Sequence, residues 1–261
     1  MADAVFETIL VERHDRVLKL ILNRPETLNS VNHQMTEDLM SAFRWASEDE
    51  ESNVIVLTGA GKGFCSGGDV GGMASSPSGT NTPLKPGQVH HVGRHLVDVM
   101  LWVEKPMIAM VNGAAVGLGA TLALLCDIVT MADNGKIGDR HVNVGLVAGD
   151  GGAAIWPLLV GVNMAKELLM TGRLLSAAEA KEIGLVNRVV PREDLESVTM
   201  ALAHEIAAQP AFAVRATKVS VNRVVRSQIE NVLDVSFALE SLSLGSDEQK
   251  KATQAFMASR R

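Results

Sequence analysis

The run Met107-Ile108-Ala109-Met110-Val111, followed by Asn112-Gly113-Ala114-Ala115-Val116-Gly117-Leu118-Gly119-Ala120, decides the fold. A short apolar segment of strand length ends in a glycine-rich turn, and from Leu118 through Leu125 the apolar residues return at helical spacing. Asp127-Ile128-Val129-Thr130-Met131 then reads as strand again. Strand, helix, strand in this order requires a crossover, hence an α/β core of normally right-handed connection. Ligands approach such sheets where the strands end, which is where the glycine turn lies.

The same grammar occurs upstream. Val54-Ile55-Val56-Leu57, bounded by Thr58-Gly59, reads as a buried strand, and Gly63-Phe64-Cys65-Ser66-Gly67-Gly68-Asp69 follows it. Two readings of the paired turns stand side by side. In one, Gly67 and Gly68 permit a tight turn while Gly117 and Gly119 permit close helix packing. In the other, the two turns place backbone N–H groups on one anion, such as a carbonyl oxygen on which charge develops. Neither turn is a phosphate loop of the Walker type, because Gly59-Ala60-Gly61-Lys62-Gly63 lacks the spacing and the Ser or Thr after lysine. Gly117-x-Gly119 is too short for a dinucleotide fingerprint.

Working outward, Val17 to Leu22 reads as a strand that exits at Asn23-Arg24-Pro25, and Val31, Met35, Leu39 and Phe43 repeat as one helix face. Residues 71 to 87, rich in Gly, Ser and Pro, are expected to form a loop over or beside the site, or else a plain connection. Val92, Leu96 and Val99 suggest the next helix. Ser176-Ala177-Ala178-Glu179 is a capping-box pattern whose short helix Gly184 ends, and Leu185 to Val190 is a strand candidate stopped by Pro191. From Arg192 to Ala258 the pattern is helical, with breaks at Gln209-Pro210 and Gly245-Ser246-Asp247. Such a tail exposes apolar faces unless it covers the core or another subunit, so oligomerisation is expected.

With 261 residues, 47% of them hydrophobic and 21% charged, the chain can bury a sizeable core, and one main domain is expected. The formal net charge of -6 and the dispersed basic residues argue against a nucleic-acid partner. Cys65 and Cys126 have neither metal-site spacing nor the density of a disulfide scaffold; free thiols in a reducing, cytoplasmic setting and no metal site are expected. The opening residues lack the basic and apolar regions of a secretory signal, and no apolar run reaches membrane-spanning length.

Several segments together carry a family resemblance. They are Leu22-Asn23-Arg24-Pro25 with Leu28-Asn29-Ser30-Val31-Asn32, then Phe64-Cys65-Ser66-Gly67-Gly68-Asp69, then Val111 through Gly119 with Cys126-Asp127-Ile128. Thr171-Gly172-Arg173, Ala178-Glu179-Ala180 and Gly184-Leu185-Val186-Asn187 extend the match, so that it covers nearly the whole chain. The chain resembles the enoyl-CoA hydratase/isomerase, or crotonase, family. The resemblance implies an α/β spiral of repeated β-β-α units over residues 1–195 and a helical region over 196–261 used in trimer formation, trimers often pairing into hexamers. It also implies an acyl-CoA thioester as partner, with coenzyme A as part of the substrate, no other cofactor, and no nucleic acid or membrane. The thioester oxygen would sit between the N–H groups of Gly68 and Leu118, and the leucine is compatible because that role belongs to the backbone.

Family hydratases carry two glutamates that serve as acid and base, and by position these map to Thr121 and His141 in this chain. Ordinary two-glutamate hydration is therefore not expected. The Thr121 hydroxyl can orient water or substrate, or simply pack in its helix. His141 can exchange a proton near neutral pH or be structural. Asp150, in Gly149-Asp150-Gly151-Gly152, can orient a nucleophile, transfer a proton or cap its loop, and a His141/Asp150 pair is the expected polar centre. Asp139 and Arg140 can pair with each other or meet a polar acyl end. Asp69 is expected to cap its own turn, and Cys65 lacks a local activating base. Arg24, Lys62, Ser66 and Gly68 are candidates for coenzyme A contacts, the two cations toward phosphate. Lyase or isomerase chemistry leads, with thioester hydrolysis, decarboxylation and a catalytically silent binder as alternatives.

Overall fold

Continuous apolar runs become parallel strands covered on both faces, and those runs build the main sheet. A computed structural model describes residues 5–69 and 88–258. In it β1 (Ile9–His14), β2 (Val17–Leu22), β3 (Val54–Gly59), β4 (Met107–Val111), β6 (Ile128–Ala132) and β9 (Arg188–Val190) lie in that order. β1 is antiparallel to β2 and every other neighbouring pair is parallel. The strand expected from Leu185 onward begins at Arg188, because Leu185 and Val186 pass through the end of the preceding helix turn.

A second, smaller sheet holds β5 (Ala114–Val116), β7 (Lys136–Gly138) and β8 (Leu175–Ser176). Two isolated parallel bridges, Cys65 to Ala115 and Val31 to Gly68, continue this layer toward the N-terminal turns. The β4–β5 and β6–β7 passages each contribute one long strand to the first sheet and one short one to the second before a helix. β4 and β5 lead into α3 (Leu118–Leu124), and β6 and β7 lead through a short turn at His141–Val144 toward α4 (Gly152–Val160). This is the spiral of β-β-α units that the sequence resemblance implies.

α1 (His33–Glu48) starts where the Asn32 side chain accepts the Met35 N–H at 2.9 Å, and buries Met35, Leu39 and Phe43 on the large core. α2 (Gln88–Trp102) packs beside α1. α5 (Val162–Thr171) and α6 (Ala177–Glu182) follow, the latter with both bonds of the Ser176/Glu179 capping box. The opposite face of the main sheet is closed by α7 (Leu195–Ala207), whose Leu195, Leu202 and Ala203 pack with Val54, Val56 and Ile108. The helix that begins the C-terminal region therefore belongs to the core layer. α8 (Ala211–Ser243) and α9 (Asp247–Ala258) follow, with breaks where Gln209-Pro210 and Gly245-Ser246 place them. Among the described residues no helix is long and apolar enough to cross a membrane. The expected loop at 71–87 lies outside the described residues.

Candidate active site

The two glycine turns are zipped together by main-chain pairing. Cys65 N–H donates to Ala114 O at 3.0 Å, and Val116 N–H donates to Cys65 O at 2.9 Å. Glycine is required where the strands press closest: a Cβ on Gly119 would lie 2.2 Å from Cys65 O. At Gly67, where φ is +92°, a Cβ would meet Val116 O at 2.6 Å and Leu118 N at 3.6 Å. Gly68 and Leu118, the residues just beyond, are thereby brought to neighbouring positions. Leu118 is the first residue of α3, so its N–H has no partner within that helix, and among the described residues neither it nor the Gly68 N–H donates to another protein group.

Asn29 anchors the first turn from below. Its side-chain nitrogen donates to the carbonyls of Ala60, Gly63 and Phe64 at 3.0, 2.9 and 3.1 Å, and its side-chain oxygen accepts the Arg24 N–H at 2.9 Å. Ser66 is used structurally, its hydroxyl donating to Thr27 O at 3.1 Å. The Arg24 guanidinium donates to Ser30 O and faces Asp69 at 3.8 Å, so both side chains hold the turn together. Lys62 is exposed and, among the described residues, has no side-chain partner. Burial pushes the Cys65 thiol up to about 12, leaving it a packed, unreactive group.

Beside Leu118 stands an ion triad. His141 Nδ1 lies 2.7 Å from Asp139 Oδ1, and Nε2 lies 3.2 Å from Asp150 Oδ2. Asp139 Oδ1 also accepts the His141 main-chain N–H at 3.0 Å, which fixes the ring from two directions. The other oxygen of Asp139 has no hydrogen-bond partner among the described residues and sits against the N-terminus of α4: a Cβ on Gly152 would lie 2.4 Å from it. The positive end of the helix dipole favours a carboxylate there. Thr121, one turn into α3, donates its hydroxyl to Asp150 Oδ1 at 3.2 Å. A Cβ on Gly117 would lie 3.5 Å from His141 Cε1, so the imidazole touches the residue that precedes Leu118.

The electrostatics follow from that packing. Burial disfavours the charged imidazole, but Asp139 and Asp150 outweigh it by charge and hydrogen bonds and hold His141 well above its ordinary pKa. Burial likewise acts to raise Asp139, and the facing imidazolium overcomes it, leaving this carboxyl below its usual range. His141 is thus a cation at neutral pH with both ring nitrogens engaged. The side-chain nitrogen and oxygen atoms of the triad lie within 4.8 Å of one another, and each carboxylate meets a different ring nitrogen, which makes a hydrogen-bonded relay of them. Of the two carboxylates Asp150 is the more exposed, its side chain being 11% exposed against 1% for Asp139.

One further ionisable group reaches this centre and escaped the sequence reading. Glu240, on α8, lies against the Gly149 turn, its Oε2 2.5 Å from where a Gly149 Cβ would be. Burial pushes its carboxyl up to about 8; the His141 cation opposes that rise, and the charges of Asp150 and Asp139 add to it. A signal for it existed: Ile229, Leu233, Ser236 and Phe237, at i, i+3 and i+4 spacing, are the buried face of α8, and Glu240 continues that face. Arg140 is engaged elsewhere, its Nε donating to Asn143 Oδ1 at 3.0 Å and its guanidinium lying 4.9 Å over the Phe256 ring.

The sequence profile of the Enoyl-CoA hydratase/isomerase family matches residues 12–261, and the chain belongs to that family. It is 31% identical over 257 residues to a crotonyl-CoA hydratase of Syntrophomonas wolfei, covering 98% of this chain and 97% of the relative. A 1,2-epoxyphenylacetyl-CoA isomerase of Escherichia coli is 34% identical over 256 residues, covering 98% and 97%. Among solved structures, an enoyl-CoA hydratase/isomerase from Mycobacterium paratuberculosis superposes with a TM-score of 0.87 at 34% identity, covering 95% of this chain and 98% of that one. Hydratases and an isomerase both stand among the relatives, so membership defines an acyl-CoA-processing enzyme of the hydratase/isomerase class with the crotonase fold.

Proposed function

We propose that the protein forms an enolate on an acyl-CoA thioester and moves a proton along the acyl chain, shifting a double bond. The thioester oxygen accepts the N–H groups of Gly68 and Leu118, which lower the energy of the enolate as negative charge moves onto that oxygen. Asp150 removes the proton from the α carbon. The observation that carries this reading is the triad itself: its more exposed carboxylate, Asp150, is held by His141 and Thr121 beside the second donor turn. A 1,3-proton shift needs an enolate cradle and a proton-transfer group, whereas adding water to a double bond also needs a group that activates water. His141, with both nitrogens engaged, positions Asp150 and balances its charge.

Lys62 is offered to a coenzyme A phosphate, being the exposed cation of the first glycine segment. The apolar side chains that α8 exposes, among them Val221, Val224 and Leu242, are the surface expected to be covered in a homotrimer or a pair of trimers. A cytoplasmic setting fits two buried free thiols.

The test is to incubate the protein with saturated, α,β-unsaturated and β,γ-unsaturated acyl-CoAs in D2O and follow products and α-hydrogen exchange. Exchange and isomerised product, both lost in Asp150→Asn, are expected. Release of free coenzyme A would instead support thioester hydrolysis, and binding without conversion would support a silent binder.

A further inference from the structure

α8 follows the loop that carries Asp150. The Ser236 hydroxyl donates to Gly149 O at 3.0 Å, Glu240 presses on Gly149 itself, and the Ser243 hydroxyl accepts the Val147 N–H at 3.4 Å. These positions, i, i+4 and i+7, form one stripe of the helix, and Glu240 is the only ionisable residue in it. Among the described residues its carboxyl makes no side-chain hydrogen bond or ion pair. This carboxyl thus lies against Gly149, the chain neighbour of the proposed base Asp150.

We propose that Glu240 is a second proton-transfer group of the site, the carboxylic acid that protonates the γ carbon of the dienolate generated by Asp150. This rests on the enolate reading above and deepens it. The Cα–H bond of a β,γ-unsaturated thioester breaks, its proton goes to the Asp150 carboxylate, and the electron pair spreads over the thioester oxygen and the γ carbon. A C–H bond then forms at the γ carbon with the Glu240 proton, leaving Glu240 as carboxylate and Asp150 as acid. Exchange with water returns the proton that Asp150 holds and replaces the one that Glu240 gave. The groups facing Glu240 electrically are His141, which opposes the rise of its carboxyl, and Asp150 and Asp139, which with burial push it up to about 8.

The test uses the full-length protein with 3-hexenoyl-CoA in D2O, read by proton NMR. Wild-type product is expected to carry deuterium at the γ carbon. Glu240→Gln is expected to keep exchanging the α hydrogen while product formation falls about 100-fold or more, with partial recovery in Glu240→Asp. In the wild type, product formation is expected to decline as pH rises through about 8, where Glu240 loses its proton, and exchange is not. Isomerisation by Glu240→Gln at the wild-type rate, or transfer of the substrate's own α hydrogen to the γ carbon, would overturn the proposal and leave the Asp150 reading standing. Absence of both α exchange and isomerised product in the wild type would sink both.

Discussion

His141 and Asp150 meet through Nε2 and Oδ2 at 3.2 Å, while Asp139 takes the opposite ring nitrogen at 2.7 Å. Both carboxylates hold this imidazole well above its ordinary pKa, so that the charged form is favoured under the Asp150 carboxylate. The rate is therefore expected to show no limb in the ordinary imidazole range. His141→Gln, which keeps hydrogen bonding and loses the charge, should lower kcat by about 10- to 100-fold with a smaller change in KM, an effect of positioning and charge together. A wild-type inflection near pH 6.5 that vanishes in the variant would contradict this.

The same triad ties stability to pH. His141 has a folded-state pKa above its unfolded value, so its contribution is complete below about pH 6.5 and is lost as pH rises toward and through the folded value. Asp139, held low, contributes above about pH 3.9 and loses that contribution as pH falls through its folded value. The stability difference between wild type and His141→Gln, measured by denaturant unfolding, should shrink from pH 6 to pH 9. A difference that stays constant over that span counts against the charged triad.

Leu118 separates backbone from side-chain roles. Proline is tolerated at the first position of a helix, where the N–H is unsatisfied, and Leu118 occupies that position in α3. Leu118→Pro should fold and lose kcat by about 100- to 1000-fold, as removal of one oxyanion donor does, whereas Leu118→Ala should stay within about tenfold of wild type. Equal losses in the two variants would assign the effect to packing.

Gly152 is a steric test of the relay. A Cβ there would overlap Asp139 Oδ2 at 2.4 Å, and Asp139, fully buried and bonded twice to His141, has nowhere to retreat. Gly152→Ala is expected to cost about 1–3 kcal/mol and to lower kcat by tilting the imidazole. Unfolding midpoints and steady-state rates unchanged from wild type would show that the carboxylate can move freely.

Far from the site, Lys105 is fully buried, with Nζ donating to the carbonyls of Ala46 and Asp49 and, at 3.1 Å, to the Ser52 hydroxyl. It satisfies acceptors at the end of α1. Lys105→Met keeps the stem and removes the donors, and should cost about 1–3 kcal/mol in urea unfolding with kcat and KM unchanged. An altered kcat at unchanged stability would reveal a functional role for this buried amine.

What the sequence made legible follows chain locality. Val17–Leu22, interrupted only by Lys19, Val54-Ile55-Val56-Leu57 and Met107–Val111 are apolar runs because both of their faces are covered, and such runs announce themselves. β5 and β7 are only three residues each and exist through pairing with one another, so no local pattern marks them. β1 shows alternation, but on an edge strand charged residues such as Glu12 and Arg13 mask it. The His141/Asp150 pair was legible because both residues stand in one short segment. Sequence gives no side-chain direction for Asp139, which leaves it equally able to face substrate or pair with Arg140, and the fold turns it onto His141. Glu240 lies far along the chain and joins the centre only through the way α8 packs on the Gly149 turn.

The most direct measurement is a crystal structure with a saturated acyl-CoA bound. The thioester oxygen should lie about 2.7–3.1 Å from the backbone nitrogens of both Gly68 and Leu118, with the Asp150 carboxylate facing the α carbon. A thioester oxygen bonded to neither nitrogen, in a complex whose acyl chain occupies an ordered pocket, would contradict the account.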